Sequence, residues 1–122
     1  MINLRSPPLH VAFGFVAMGA WAAFANRTHG PGAMVPAFLV QGSLSGLLTL
    51  GLKRWLEWGR ARIAGLAGAL VPPLISCLSI AAILSGAHAL AGTPEIVATI
   101  ALPWTVSTLY GFIYTWSLGG RR

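Results

Sequence analysis

The feature that most limits how this chain can fold is a series of four apolar segments joined by short connections. These segments cover about residues 9–25, 33–52, 62–90 and 95–118. A helix needs about 20 apolar residues to cross the hydrocarbon core of a bilayer, and the segments approach or exceed that length. We therefore predict an all-α integral membrane protein with one domain, residues 1–122, in which four transmembrane helices form an antiparallel bundle.

The shortage of charged residues supports the membrane class. Asp, Glu, Lys and Arg make up 8% of the sequence, compared with about 25% in a typical soluble domain. The net charge of +6 would suit nucleic acid, but the basic residues stand at the ends of the apolar segments, so we predict no nucleic-acid partner. The single cysteine, Cys77, excludes an intrachain disulfide and a cysteine-based metal site. We predict neither a metal nor another cofactor.

The basic residues also predict the orientation of the helices. All but one of the eight Lys and Arg residues fall before the first segment, between the second and third, or after the fourth. These are Arg5, Lys53, Arg54, Arg60, Arg62, Arg121 and Arg122. Since positive charge is retained on the cytoplasmic side, we predict a multi-pass protein of the cell (inner) membrane with both termini in the cytoplasm. Alternatively, Arg5 and the apolar run before Asn26 form a cleavable signal peptide, which would leave three helices.

Prolines interrupt the third and fourth segments. Pro72 and Pro73 have no amide hydrogen, so they leave two carbonyls of the preceding turn without helical partners. We predict that the third helix is kinked or broken at this point and that Pro103 bends the fourth. A broken third helix would place residues 60–71 in an interfacial or re-entrant position. The freed carbonyls could form a site for a cation or substrate, but the pattern favours a packing kink.

Uncharged polar residues recur near the middle of the second, third and fourth segments. We predict that six of them form interhelical contacts or, alternatively, a polar path through the bundle. They are Gln41, Ser45, Thr49, Ser76, Ser79 and Ser107. Because no charged residue lies near the middle of a segment, proton-coupled transport is not favoured. Gly42 and Gly46 form a GxxxG pair, which predicts self-association or contact with another membrane subunit.

The segment ends opposite the basic residues carry a second candidate group. It consists of Arg27, His29, His88 and Glu95. Glu95 could pair with Arg27 or with a histidine, whereas two histidines and a carboxylate on separate connections are a weak indication of a metal. The local sequence also indicates a helix start, with Thr93 as N-cap, Pro94 in the first position and Glu95 in the first turn. We favour this cap role for Glu95.

The connection between the second and third segments, residues 53–62, is predicted to be a basic cytoplasmic loop. Its cations and indole rings suit the anionic headgroups of a lipid bilayer. The residues concerned are Lys53, Arg54, Trp55, Trp58, Arg60 and Arg62. An alternative hypothesis is that this loop docks a cytoplasmic partner.

These features favour a non-enzymatic protein. Small polar packing faces without titratable groups suit a subunit or accessory of a membrane assembly, in contact with other membrane-protein subunits. The alternative is a homo-oligomeric channel, or a small-molecule or lipid transporter, with a path lined by hydroxyl and amide groups. An enzyme built on His29, His88 and Glu95 is a third hypothesis, and the one that we favour least.

Overall fold

The computed structural model describes residues 7–119, and nearly all of them are helical. The first helix, α1, is Pro7–Ala25. The other long helices are α2, Pro31–Arg62, α3, Gly65–Ala91, and α4, Ile96–Gly119. All four are long and apolar enough to cross a membrane. The all-α class and the four helices predicted from the sequence are therefore confirmed.

Glycine and proline set the ends of the helices. A short 3₁₀ turn, Arg27–His29, follows α1. Gly30 then has a φ of 82°, and Pro31 takes the first position of α2, where a missing amide hydrogen costs no helical bond. Gly92 ends α3 with a φ of 77°, in the left-handed region that residues with a Cβ rarely adopt. Both connections are short, so consecutive helices are close neighbours.

The basic segment 53–62 forms the last turns of α2, which differs from the loop predicted from the sequence. Leu52, Leu56 and Gly59 are buried at helical spacing in this part of α2. The burial of this face explains why the helix continues, with the charged side chains on its other faces. Only two residues then separate α2 from α3. Three basic residues that entered the predicted orientation lie outside the described part of the chain: Arg5, Arg121 and Arg122.

The helices α1 and α2 pack through glycine. A Cβ on Gly42 would come within 2.8 Å of the carbonyl oxygen of Phe15 in α1, and one on Gly46 within 3.2 Å of the Val11 side chain. A small residue at each position therefore lets the two backbones approach closely. Both glycines therefore serve a contact with α1 of the same chain, whereas the sequence alone also allowed them to serve self-association.

Pro72 and Pro73 lie inside α3, which is assigned as one helix, Gly65–Ala91. Both rings are fully buried. A Cβ on Gly59 of α2 would come within 2.8 Å of the Pro72 ring, so the glycine makes room for the proline. Residues 60–71, which would form an interfacial or re-entrant stretch if the third helix were broken, are divided between α2, α3 and the turn that joins them.

An apolar cluster joins α2 and α3 in the interior of the bundle. It consists of Leu52, Leu56, Ile80 and Leu84, with Trp104 of α4 packed against it. Many other large apolar side chains lie on the outer surface, and Leu90 is 92% exposed. Such a surface suits helices that are surrounded by lipid or by other membrane helices.

Candidate functional site

Among residues 7–119, the most deeply buried titratable side chain is His88, in the last turn of α3. Its Nε2 lies 2.9 Å from Oε1 of Gln41 in α2. Its Nδ1 lies 2.8 Å from the hydroxyl of Thr93, in the connection that leads to α4. Because both ring nitrogens are engaged, one imidazole ties together α2, α3 and this connection.

The direction of the hydrogen bonds follows from Gln41. Its Nε2 donates to the hydroxyl of Ser45 over 2.8 Å, which leaves the amide oxygen facing His88. An amide oxygen can only accept, so Nε2 of His88 donates. In a neutral imidazole with its proton on Nε2, Nδ1 then accepts from the Thr93 hydroxyl. The bonds therefore run from Thr93 through His88 and Gln41 to Ser45. We call these four residues the histidine network.

Asn26 is a second buried polar group at the same end of the bundle, directly after α1. Its Nδ2 donates to the carbonyl of Ala22 over 2.8 Å and to the hydroxyl of Thr99 over 2.7 Å. Its Oδ1 accepts the backbone N–H of Glu95 over 3.0 Å. Thr99 in turn donates to the carbonyl of Glu95. Asn26, directly after α1, therefore provides the hydrogen-bond acceptor for the backbone N–H of Glu95, just before α4.

The predicted outer group is only partly brought together. Nε2 of His29 lies 3.0 Å from the Glu95 carboxylate, and both side chains are about half exposed. The Arg27 guanidinium instead donates to the carbonyl of Phe24 over 2.9 Å and lies 4.0 Å from the centre of the Phe24 ring. His88 belongs to the histidine network. The pairing of Glu95 with a histidine therefore involves His29.

The start of α4 differs from the one predicted. The helix begins at Ile96, so Thr93 lies too far upstream to be its N-cap. The hydroxyl of Thr93 bonds to His88 instead, because a buried ring nitrogen without a partner would be costly. Glu95 precedes the helix, and its carbonyl accepts the N–H of Thr99 over 2.9 Å.

The six residues predicted to form interhelical contacts or, alternatively, a polar path fall into separate groups. Gln41 and Ser45 belong to the histidine network, and the Thr49 hydroxyl donates to the backbone carbonyl of Ser45 over 2.7 Å. Ser76 donates to the carbonyl of Pro73, and Ser107 to that of Trp104, each within its own helix. Ser79 is exposed on the outer surface of α3. The hydrogen bonds therefore do not link all six into one line.

Tryptophan side chains join the helices at three further points. The indole N–H of Trp21 in α1 donates to the carbonyl of Ala98 in α4 over 2.9 Å. The indole N–H of Trp55 in α2 donates to the backbone carbonyl of Pro72 over 2.8 Å. That of Trp104 in α4 donates to the backbone carbonyl of Cys77 over 3.0 Å. Of these three tryptophans, only Trp55 was assigned a role from the sequence, at the membrane surface. The sequence did contain an indication of these bonds, because the N–H of an indole within an apolar segment needs a hydrogen-bond acceptor.

The basic end of the bundle holds the other acidic residue. The Glu57 carboxylate accepts the Tyr114 hydroxyl at 2.5 Å and lies 3.9 Å from Nζ of Lys53. The indoles of Trp55 and Trp58 are stacked with their centres 5.5 Å apart, and the Arg62 guanidinium lies 4.4 Å from the centre of the Trp58 ring.

The remaining predicted surface residues at this end differ in exposure. Lys53, Arg54 and Arg62 are exposed. Arg60 is partly buried, and its Nη1 donates to the carbonyl of Ile63 over 3.0 Å. Arg60 therefore holds the turn between α2 and α3, which is a role that the sequence did not indicate.

Within residues 7–119, no three His, Cys, Asp or Glu side chains are grouped so that they could hold a metal ion.

Comparison with known proteins gives no relative, because no family model, curated protein or solved structure matches the chain. The geometry of the chain itself must therefore carry a functional proposal.

Proposed function

We propose that this is a multi-pass, non-enzymatic membrane protein that acts as a subunit or accessory of a membrane assembly. The proposal includes an antiparallel bundle, bent at its prolines, in the inner membrane with both termini in the cytoplasm. The contacts between α2 and α3 support the antiparallel order. Gln41 pairs with His88, and Trp55, which is later in α2, pairs with Pro72, which is earlier in α3.

The observation that carries the proposal is that the polar atoms of the histidine network are hydrogen-bonded within the chain. Gln41 and His88 are fully buried, and every polar atom of their side chains has a partner in the same chain. A transport path needs polar groups that exchange partners with a substrate or with water. A network in which all members are satisfied instead fixes one arrangement of the helices. This supports a packed bundle over a channel or transporter.

The outer surface of α3 offers a place for another membrane helix. Ser79 is exposed there, and a Cβ on Gly86 would have no neighbour within 4 Å. Small and hydroxyl-bearing residues allow transmembrane helices to approach closely and to exchange hydrogen bonds. Because this chain fills neither position itself, both are free for a partner subunit.

Purification in a mild detergent tests the proposal. We expect a specific membrane protein to co-purify with the tagged full-length chain, and the double variant Ser79→Leu/Gly86→Leu to lose it. Val97→Leu, at a position 81% exposed on α4, is the matched control and should retain the partner. If the wild-type chain is always a lone monomer or a simple homo-oligomer, the subunit role is wrong.

The channel or transporter alternative has its own test. A path along the histidine network would have to open its hydrogen bonds, so Gln41→Leu should change the flux of solute through liposomes that contain the protein. We expect no such flux from the wild-type chain. A flux that Gln41→Leu abolishes would replace the subunit proposal.

A further inference from the structure

A groove lies between the start of α3 and the end of α4, with the last turn of α2 at one side. Its volume is about 430 Å³. The lining residues are Arg60, Gly65, Leu66, Ala69, Trp116 and Gly119. Apart from one arginine, they are apolar or glycine. The groove therefore joins one positive charge to an apolar surface.

The walls of the groove face outward from the bundle. Leu66 is 65% exposed and Trp116 is 64% exposed, so both stand at the rim. The apolar surface continues along the helices, with Leu70 and Leu74 exposed on α3 and Ile113 exposed on α4. A long hydrocarbon chain that starts in the groove would therefore remain in contact with apolar side chains.

The guanidinium of Arg60 is positioned at the groove by the turn after α2 and by the end of α4. Its Nη1 donates to the carbonyl of Ile63. A Cβ on Gly119 would come within 2.6 Å of its Nη2, so the end of α4 passes directly beside the charge. The Glu57 carboxylate lines a separate depression of about 250 Å³ that also touches Arg60. There Glu57 accepts a hydrogen bond from the Tyr114 hydroxyl, and it is not among the described residues that line the groove.

The length of α2 indicates the depth of the groove in a membrane. Its 32 residues extend over about 48 Å, whereas the hydrocarbon core is about 30 Å thick. With its apolar start at one edge of the core, α2 carries Arg60 past the opposite edge into the headgroup layer. Trp58 and Trp116 are exposed at the same end, as is usual for indoles at a membrane surface.

We propose that this groove binds one anionic phospholipid. The phosphate is next to Arg60, and the upper part of an acyl chain lies between Leu66 and Trp116. The charge is complementary, because a guanidinium recognises a phosphodiester. This site goes beyond the proposed subunit role and does not depend on it.

Native mass spectrometry of the full-length protein, freed of lipid in detergent, tests the site. The chain is titrated with phosphatidylglycerol and with phosphatidylcholine that has identical acyl chains. We expect the first phosphatidylglycerol to bind at least about fivefold more tightly than phosphatidylcholine, as one guanidinium at a membrane surface would provide. Equal affinity for the two lipids would overturn the proposal. So would equal binding of glycerol phosphate, which has no acyl chain.

Two matched pairs of variants locate the site. Arg60→Gln should weaken binding of phosphatidylglycerol by about fivefold, whereas Arg54→Gln, which removes the same charge outside the groove, should change it by less than about twofold. Trp116→Ala should weaken binding, and Trp58→Ala should not. If Arg60→Gln prevents folding through the loss of its bond to Ile63, the comparison of Trp116→Ala with Trp58→Ala tests the site by itself. An equal effect within either folded pair overturns the proposal, because lipid would then bind the basic end without a defined site.

Discussion

At the scale of single residues, His88 bonds to two other parts of the bundle. It stands at the end of α3, yet its two ring nitrogens contact side chains of α2 and of the connection to α4. Removal of the ring leaves the amide oxygen of Gln41 and the hydroxyl of Thr93 without their partner. In an apolar interior, such a group costs more than the hydrogen bond itself contributes. The energetic role of His88 is therefore measurable only together with a partner.

A double-mutant cycle on His88 and Gln41 gives the first prediction. His88→Leu and Gln41→Leu should each lower the free energy of unfolding. The double variant should lose less than the sum of the two, with a coupling of about 0.6–1.7 kcal/mol, the usual range for hydrogen bonds in membrane bundles. Reversible unfolding in mixed micelles measures the three differences. The same cycle with Ser107→Ala is the control, because Ser107 bonds within its own helix, and its effect should be additive.

Asn26 gives the second prediction at this scale. Asn26→Ala removes three hydrogen bonds, and we expect it to lower the free energy of unfolding by about 1–3 kcal/mol. It should also increase the hydrogen-exchange rate of the Glu95 amide, which loses its acceptor. Thr28→Ala, at an exposed position two residues away, should change neither quantity. If the Glu95 amide still exchanges slowly in the Asn26 variant, Asn26 does not hold the start of α4.

At the scale of helices, hydropathy was sufficient to predict the number of elements but not the length of each one. The segment 53–62 looks like a loop because it contains most of the internal charge. The four-residue spacing of Leu52, Leu56 and Arg60, with Gly59 beside it, was the sign that the helix continues. Packing on α3, which decides the outcome, involves Ile80 and Pro72, and their proximity could not be known before the helices were paired.

The same limit applies to the candidate site. The sequence predicted that Glu95 could pair with a histidine, because the ends of the segments place these residues close together. It did not predict the bond between His88 and Thr93, since that bond depends on where α4 begins. It also placed Gly42 and Gly46 at a contact between chains, although spacing alone cannot distinguish such a contact from one within the chain.

The contact between α1 and α2 leads to the third prediction. Gly42→Leu would place a side chain against the Phe15 carbonyl and ring, so we expect it to lower the free energy of unfolding by at least about 1–3 kcal/mol. Gly51 lies on the exposed side of the same helix, where a Cβ meets nothing within 4 Å. Gly51→Leu should therefore leave the free energy of unfolding nearly unchanged. If Gly42→Leu changes only the oligomeric state, the glycine pair joins two chains and the packing of α1 on α2 is wrong.

The whole molecule has two chemically different ends. One carries the exposed cations Lys53, Arg54 and Arg62, together with the proposed lipid groove. The other carries the His29–Glu95 pair and the buried networks. An ammonium or guanidinium group is difficult to move across a bilayer, so the cationic end should remain where the chain is synthesised. The proposed orientation is therefore a consequence of charge and can be tested without knowledge of the function.

Thiol accessibility in whole cells tests this orientation. In a Cys77→Ser background, Thr28→Cys and Ala61→Cys each introduce one thiol at an exposed position, at opposite ends of the bundle. A membrane-impermeant maleimide should label Thr28→Cys in intact cells, and Ala61→Cys only after lysis, because positive charge holds that end in the cytoplasm. A peptide tag before Met1 should remain on the labelled protein if the first helix is not removed as a signal peptide. Labelling of Ala61→Cys in intact cells would reverse the orientation, and it would move the lipid groove to the opposite leaflet.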